Sequence, residues 1–113
     1  MTNGEKLAMV KSILRIDGDA SDELLMTYLA YAKSAILGWR YSYAPSTPDE
    51  VPVEYEMTQV QAVVFGFTQS GVEGQKVSIE NGVHRHFAYN DIDRYIKANV
   101  IAIAKLPGMA VST

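Results

Sequence analysis

The stretch from Ser21 to Arg40, SDELLMTYLAYAKSAILGWR, decides the fold. Leu25, Leu29, Ala32, Ile36 and Trp39 recur at spacings of four and three, which lays them along one stripe of a helix. Leu24, Tyr28, Tyr31 and Ala35 widen that stripe, so the helix faces more than one neighbour. Ser21 suits the N-cap, and Asp22 and Glu23 occupy the first turn, where the helix dipole favours carboxylates. A helix with so broad an apolar face needs other helices to cover it.

The flanking sequence supplies them. Upstream, residues 3–15 carry Leu7, Val10 and Leu14 on one stripe, with Glu5 early and Lys11 and Arg15 late. Asp17-Gly18-Asp19-Ala20 then breaks the helix. Downstream, Pro45, Pro48 and Pro52 predict an irregular connection over 41–52. Thr47-Pro48-Asp49-Glu50 has the form of a capping box, but a third helix beginning near Pro52 is preferred, because proline suits the first helical position and disrupts later ones. Val53, Met57, Val60, Val64 and Phe67 form its apolar stripe, and Ser70-Gly71 ends it.

Residues 76–80 and 83–88 are short β-prone runs separated by Asn81-Gly82, a strong hairpin signal because both turn positions take positive φ. Val77, Ile79, His84, His86 and Ala88 share one face of this hairpin; Lys76, Ser78, Glu80, Val83, Arg85 and Phe87 share the other. Neither face is wholly apolar, and an isolated two-stranded hairpin is marginal in water, so it is expected to lean on the domain or on another molecule. Asn90-Asp91-Ile92-Asp93 caps a last helix with Ile92, Ile96, Val100, Ile103 and Leu106 at core spacing, stopped by Pro107-Gly108. The expected fold is mainly α: a small bundle of about four helices with one β-hairpin inserted before the last. Residues 1–107 form a single domain and 108–113 a mobile tail.

Composition narrows the function classes. A chain of 113 residues buries roughly two-thirds of its unfolded surface, enough for a core without staples. Cysteine is absent, which removes disulfides and thiolate metal sites. The net charge of -3 disfavours a protein that lives by gripping phosphates. No run approaches the ~18 apolar residues of a membrane span, and the first eleven residues lack a signal-peptide core.

Catalytic signatures are scarce. There is no nucleophile elbow, no His-Glu-x-x-His and no dinucleotide fingerprint. Gly71-Val-Glu-Gly-Gln-Lys76 fails the phosphate-loop spacing, and Glu73 repels phosphate where a KH-type clamp would hold it. It is read as a helix C-cap leading into the hairpin. His84 and His86 project from one strand face but find no third ligand there, so no metal or other cofactor is expected. The acidic pairs Asp22/Glu23 and Asp91/Asp93 lie in first turns, where capping and dipole explain them.

The candidate sites are therefore contact surfaces. Tyr41, Tyr43 and Tyr89 lie in connections, where aromatic side chains serve partner contacts. The hairpin adds Val77, Ile79, Asn81, Gly82, His84, Arg85, His86 and Phe87, and the tail adds Met109 and Val111.

The order of elements resembles the head-tail connector family of long-tailed bacteriophages, whose members are also described as head-completion or DNA-packaging proteins. The likeness is carried by Val10-Lys-Ser-Ile-Leu-Arg-Ile-Asp-Gly-Asp, by Ser21-Asp-Glu-Leu-Leu with the helix to Trp39, by Gly71-Val-Glu-Gly-Gln-Lys, by Ser78-Ile-Glu-Asn-Gly-Val and by Asn90-Asp-Ile. It implies a non-enzymatic virion protein at the head-tail junction, assembled from the host cytoplasm. It also implies a homo-oligomeric ring of about twelve copies below the portal protein, with a docking face for the next head-completion or tail protein. DNA passes through such a channel without specific binding, which suits a chain with no excess of positive charge. The alternative is a small DNA-binding regulatory protein of a phage or prophage, built on a helix-turn-helix around Asp17-Gly18. Asp22 and Glu23 oppose it, since they stand where a recognition helix meets phosphates.

Overall fold

The structure is a computed structural model that describes residues 1–69 and 81–103, the side chains of 69 and 81–87 excepted. Four α-helices account for most of it: α1 (Asn3–Leu14), α2 (Asp22–Arg40), α3 (Glu56–Gln69) and α4 (Asn81–Asn99). A single 3₁₀ turn, Val53–Tyr55, leads into α3. No strand occurs among the described residues.

Helices α2 and α3 form the centre, with α1 and α4 each packed against both and, among the described residues, not against each other. The direction of each helix follows from its cross-contacts. Lys11 of α1 pairs with Asp22 of α2 at 2.7 Å, so the two are antiparallel. Tyr28 meets Tyr89, Tyr31 meets Asp93 and Trp39 meets Val100, so α2 and α4 run in the same sense. One end of the bundle thus gathers the start of α1, the start of α3 and the ends of α2 and α4. The core is a single cluster: Leu25, Tyr28, Leu29, Ala32 and Ile36 of α2 against Val60, Ala62, Val63 and Phe67 of α3, flanked by Val10 and by Ala88, Ile92 and Ile96. Val51, buried, plugs the long connection into the same cluster.

Local signals explain the helix ends. Thr2 and Glu5 form a reciprocal capping box at α1, at 3.0 and 2.7 Å. Arg15 takes the left-handed conformation at the C-cap, and the Ile16 N–H reaches back to the Lys11 carbonyl at 2.9 Å. Ser21 stands at the N-cap of α2 but makes no side-chain capping bond. The preferred start near Pro52 holds, with Pro52 capping the 3₁₀ turn.

Several expectations are corrected. The hairpin is not seen: residues 81–88, its turn and second strand, form the first turns of α4, and residues 76–80 lie outside the described residues. The Asn-Gly signal is local, and tertiary packing overrides it. Ala88 continues the four-residue stripe of Ile92, Ile96 and Val100 and is fully buried against α3. Asn90-Asp91-Ile92-Asp93 is consequently the interior of α4, not its cap. Asp91 pairs instead with Arg94, and Asp93 accepts a hydrogen bond from Tyr31. The helix ends at Asn99, well before Pro107-Gly108, because α2 side chains take the carbonyls that follow. Val53 and Met57, expected in the core, are exposed.

Candidate functional site

Among the described residues the chemistry for catalysis is sparse. No group of three or more His, Cys, Asp or Glu is placed to hold a metal. No helix is long and apolar enough to cross a membrane. One cleft of about 290 Å³ lies between α2 and α3, with Lys33, Ser34 and Gln59 on its wall. Asp22 and Glu23 do lie in the first turn of α2, and Asp22 is tied to Lys11.

The sequence-nominated contact residues do not converge. Tyr41 and Tyr43 follow α2 at one end of the bundle. Asn81, Gly82, His84, Arg85, His86 and Phe87 lie on the first turns of α4, at the opposite end. Tyr89 is not in a connection. It sits in α4, half-buried, with its ring stacked 4.3 Å from Tyr31 and edge-on to Tyr28 at 5.9 Å. Burial and the hydrogen bond to Asp93 push the Tyr31 phenol up to about 12. This aromatic cluster clasps α2 to α4 within one copy. Val77, Ile79, Met109 and Val111 lie outside the described residues.

The end marked by Tyr43 is the most distinctive surface. Tyr43, Val53 and Ile101 are exposed by 59%, 77% and 73%, and Met1 and Met57 are exposed to a lesser degree. Their neighbours bring them to the same end. The Met1 ammonium pairs with Glu56 at 3.1 Å, one residue from Met57. The Ile101 N–H meets the Tyr55 hydroxyl at 3.4 Å, two residues from Val53. Beneath them is a polar clamp. The Trp39 indole N–H donates to the Val100 carbonyl at 2.8 Å, the Arg40 guanidinium donates to the Ile101 carbonyl at 2.6 Å, and the Ile103 N–H donates to the Arg40 carbonyl at 2.8 Å. Arg40 also lies over the rings of Tyr55 and Tyr41, and Lys97 over Trp39. The clamp fixes where the chain leaves the bundle. Of the exposed apolar set, only Tyr43 was legible as a contact residue; Met1 and Ile101 carry no signal in the periodicity.

A bundle end that leaves large apolar side chains in water, on a chain without a catalytic constellation among its described residues, points to assembly. The comparison with protein families agrees: the model of the phage gp6-like head-tail connector protein matches residues 5–98, which span all four helices. The chain belongs to that family. Neither the curated proteins nor the solved structures contain a match. The connector is a phage structural protein and a component of the virion. Nothing in the match speaks for the DNA-binding regulator.

Proposed function

We propose that this connector acts by assembly alone, as a ring of about twelve copies below the portal protein that extends the DNA channel and docks the next head-completion or tail protein. The observation that carries the proposal is the family match across residues 5–98. The exposed apolar end supports it, since such side chains find cover in an oligomer or against a partner. The net charge of -3 suits a channel in which DNA slides, because each phosphate neutralised by the wall strengthens sequence-independent binding. Subunits fold in the host cytoplasm and join the head once DNA is packaged.

Electron microscopy of particles made without this product tests the role. Filled heads and free tails side by side are the expected defect. Normal joined particles, or purified virions that contain none of the protein, overturn it.

A further inference from the structure

One polar atom is left over in the wall of the cleft between α2 and α3. Gln59 lines that cleft and is 1% exposed; its amide nitrogen is spent on the Leu29 carbonyl, and its Oε1 has no hydrogen-bond partner among the described residues. Buried acceptors are almost always satisfied, so one that the free subunit leaves open points to a donor from outside. The rest of the wall says what kind of donor. Met26, Leu29 and Ala30 are apolar, whereas Asn3, Lys33 and Ser34 are polar. Lys33 is held by Glu50 at 3.7 Å, a largely exposed pair of little worth that another carboxylate can replace. Lys6, on the same stripe of α1 as Asn3 and Val10, is 3% exposed and makes no ion pair among the described residues. A buried cation without a carboxylate favours an acidic visitor. The cleft therefore suits a segment that brings a carboxylate and a backbone N–H together.

The chain carries such a segment at its other end. Asp17, Gly18 and Asp19 are exposed, and neither carboxylate makes an ion pair or hydrogen bond among the described residues. A Cβ at Gly18 would meet nothing within 4 Å, so the tip of the loop is slim and open. The loop is pinned where it stands: Lys11 and Asp22 pair at its base, and the Asp22 N–H donates to the Asp19 carbonyl at 3.2 Å. Asn3 and Gln59 lie at the opposite end, since the Met1–Glu56 pair sets the first turn of α3 beside the start of α1. Twelve residues of α1, about 18 Å, separate the two, so the loop does not reach the cleft of its own copy.

We propose that the Asp17-Gly18-Asp19 loop of one copy docks in the α2–α3 cleft of a second, with a loop carboxylate on Lys33 and a loop N–H on Gln59 Oε1. The inference rests on the ring reading above and deepens it by naming a contact between neighbours. Met26, unbranched and half-buried on the wall, gives way to admit the tip. Loop and cleft stand at opposite ends of one rigid bundle, so the contact is head to tail and closes into a ring when its rotation closes.

The absence of native cysteine makes the test clean. Full-length chains carrying Ala20→Cys beside the loop tip are mixed with chains carrying Ser34→Cys on the cleft wall, concentrated, and mildly oxidised. Both positions are exposed, so neither substitution disturbs the core. Disulfides between copies should form at least about tenfold faster than between Ala20→Cys and Ala98→Cys, an exposed position near the end of α4. Lys33→Glu in the cleft chain, or Asp17→Lys with Asp19→Lys in the loop chain, should bring the rate down to that control. Pairing the two charge-reversed chains should restore it. Gln59→Met should slow linkage by about tenfold while thermal unfolding stays unchanged. Linkage indifferent to these substitutions overturns the proposal. Light scattering separates it from the ring itself. Rings in which Ser34→Cys shows no preference for Ala20→Cys give the cleft to a different partner, which overturns the docking and leaves the ring. No linkage and no assembly at any concentration, with or without the portal protein, overturns both.

Discussion

Gly66 of α3 and Ile92 of α4 approach so closely that no methyl group fits between them. A Cβ at Gly66 would lie 2.7 Å from Ile92 Cγ1 and 3.0 Å from the backbone carbonyl of Ala88. Intrinsic propensity favours alanine over glycine in a helix by about 1 kcal/mol. Here the sign reverses, because the obstacle includes backbone and a fully buried side chain. Gly66→Ala should destabilise the connector by about 1–3 kcal/mol in denaturant unfolding, the usual cost of overpacking. A variant as stable as the wild type would mean that α3 and α4 separate freely.

The Tyr31 hydroxyl donates to Asp93 Oδ2 at 2.7 Å and joins α2 to α4. Tyr31→Phe should cost about 1 kcal/mol, the net worth of one partly buried hydrogen bond. The pH dependence has a definite sign. The folded phenol titrates near 12 against an ordinary value of 10.0, so the folded chain holds the proton more tightly. Its contribution is complete below pH 10 and is lost as pH rises toward 12. Wild-type stability measured across that window should fall more steeply than that of Tyr31→Phe.

What the sequence made legible was the buried side of each rod. Leu25, Leu29, Ala32 and Ile36 obey a period near 3.6 and are all buried. The stripe of α3 holds at Val60 and Phe67 but fails at Val53, because the 3₁₀ turn advances three residues per turn and rotates that side chain out of register. The start of α4 was hidden for a different reason. Its decisive contact joins Ala88 to Gly66, two small residues that hardly register in an apolar pattern, while Asn81-Gly82 gives a loud local signal for a turn. The end surface was mostly illegible because periodicity reports which face of a helix is covered, not how far along the helix its neighbours reach. Met57 and Ile101 mark where they stop.

Gln59 is 1% exposed, and only half of its amide is satisfied. Its Nε2 donates to the Leu29 carbonyl at 2.8 Å, while Oε1 has no hydrogen-bond partner among the described residues. One bond is made and one acceptor is stranded, so the amide is close to neutral in its net effect. Gln59→Met keeps the shape and removes both groups; it should leave stability within about 1 kcal/mol of the wild type or raise it. Gln59→Ala should cost about 2–3 kcal/mol, because it opens a cavity between α2 and α3. Equal losses from the two variants would show that the bond to Leu29 dominates.

The clamp at the exit from α4 makes the last prediction. Arg40 and Trp39 take the carbonyls of Ile101 and Val100, which no further turn of helix can serve. Trp39→Phe removes the indole donor and keeps most of the packing, and Arg40→Met removes the guanidinium while keeping the apolar stem. The backbone bond from Ile103 to the Arg40 carbonyl and the bond from the Ile101 N–H to the Tyr55 hydroxyl survive both substitutions. Each variant should raise hydrogen exchange at the amides of 101–103 by about tenfold, the equivalent of about 1.4 kcal/mol of local stability, with global unfolding changed far less. Exchange that rises equally in α2 and α3 would mean that the clamp holds the whole bundle, not only the departing chain. Unchanged exchange at 101–103 would mean that the bonds made by the Ile101 and Ile103 amides fix the exit without either side chain.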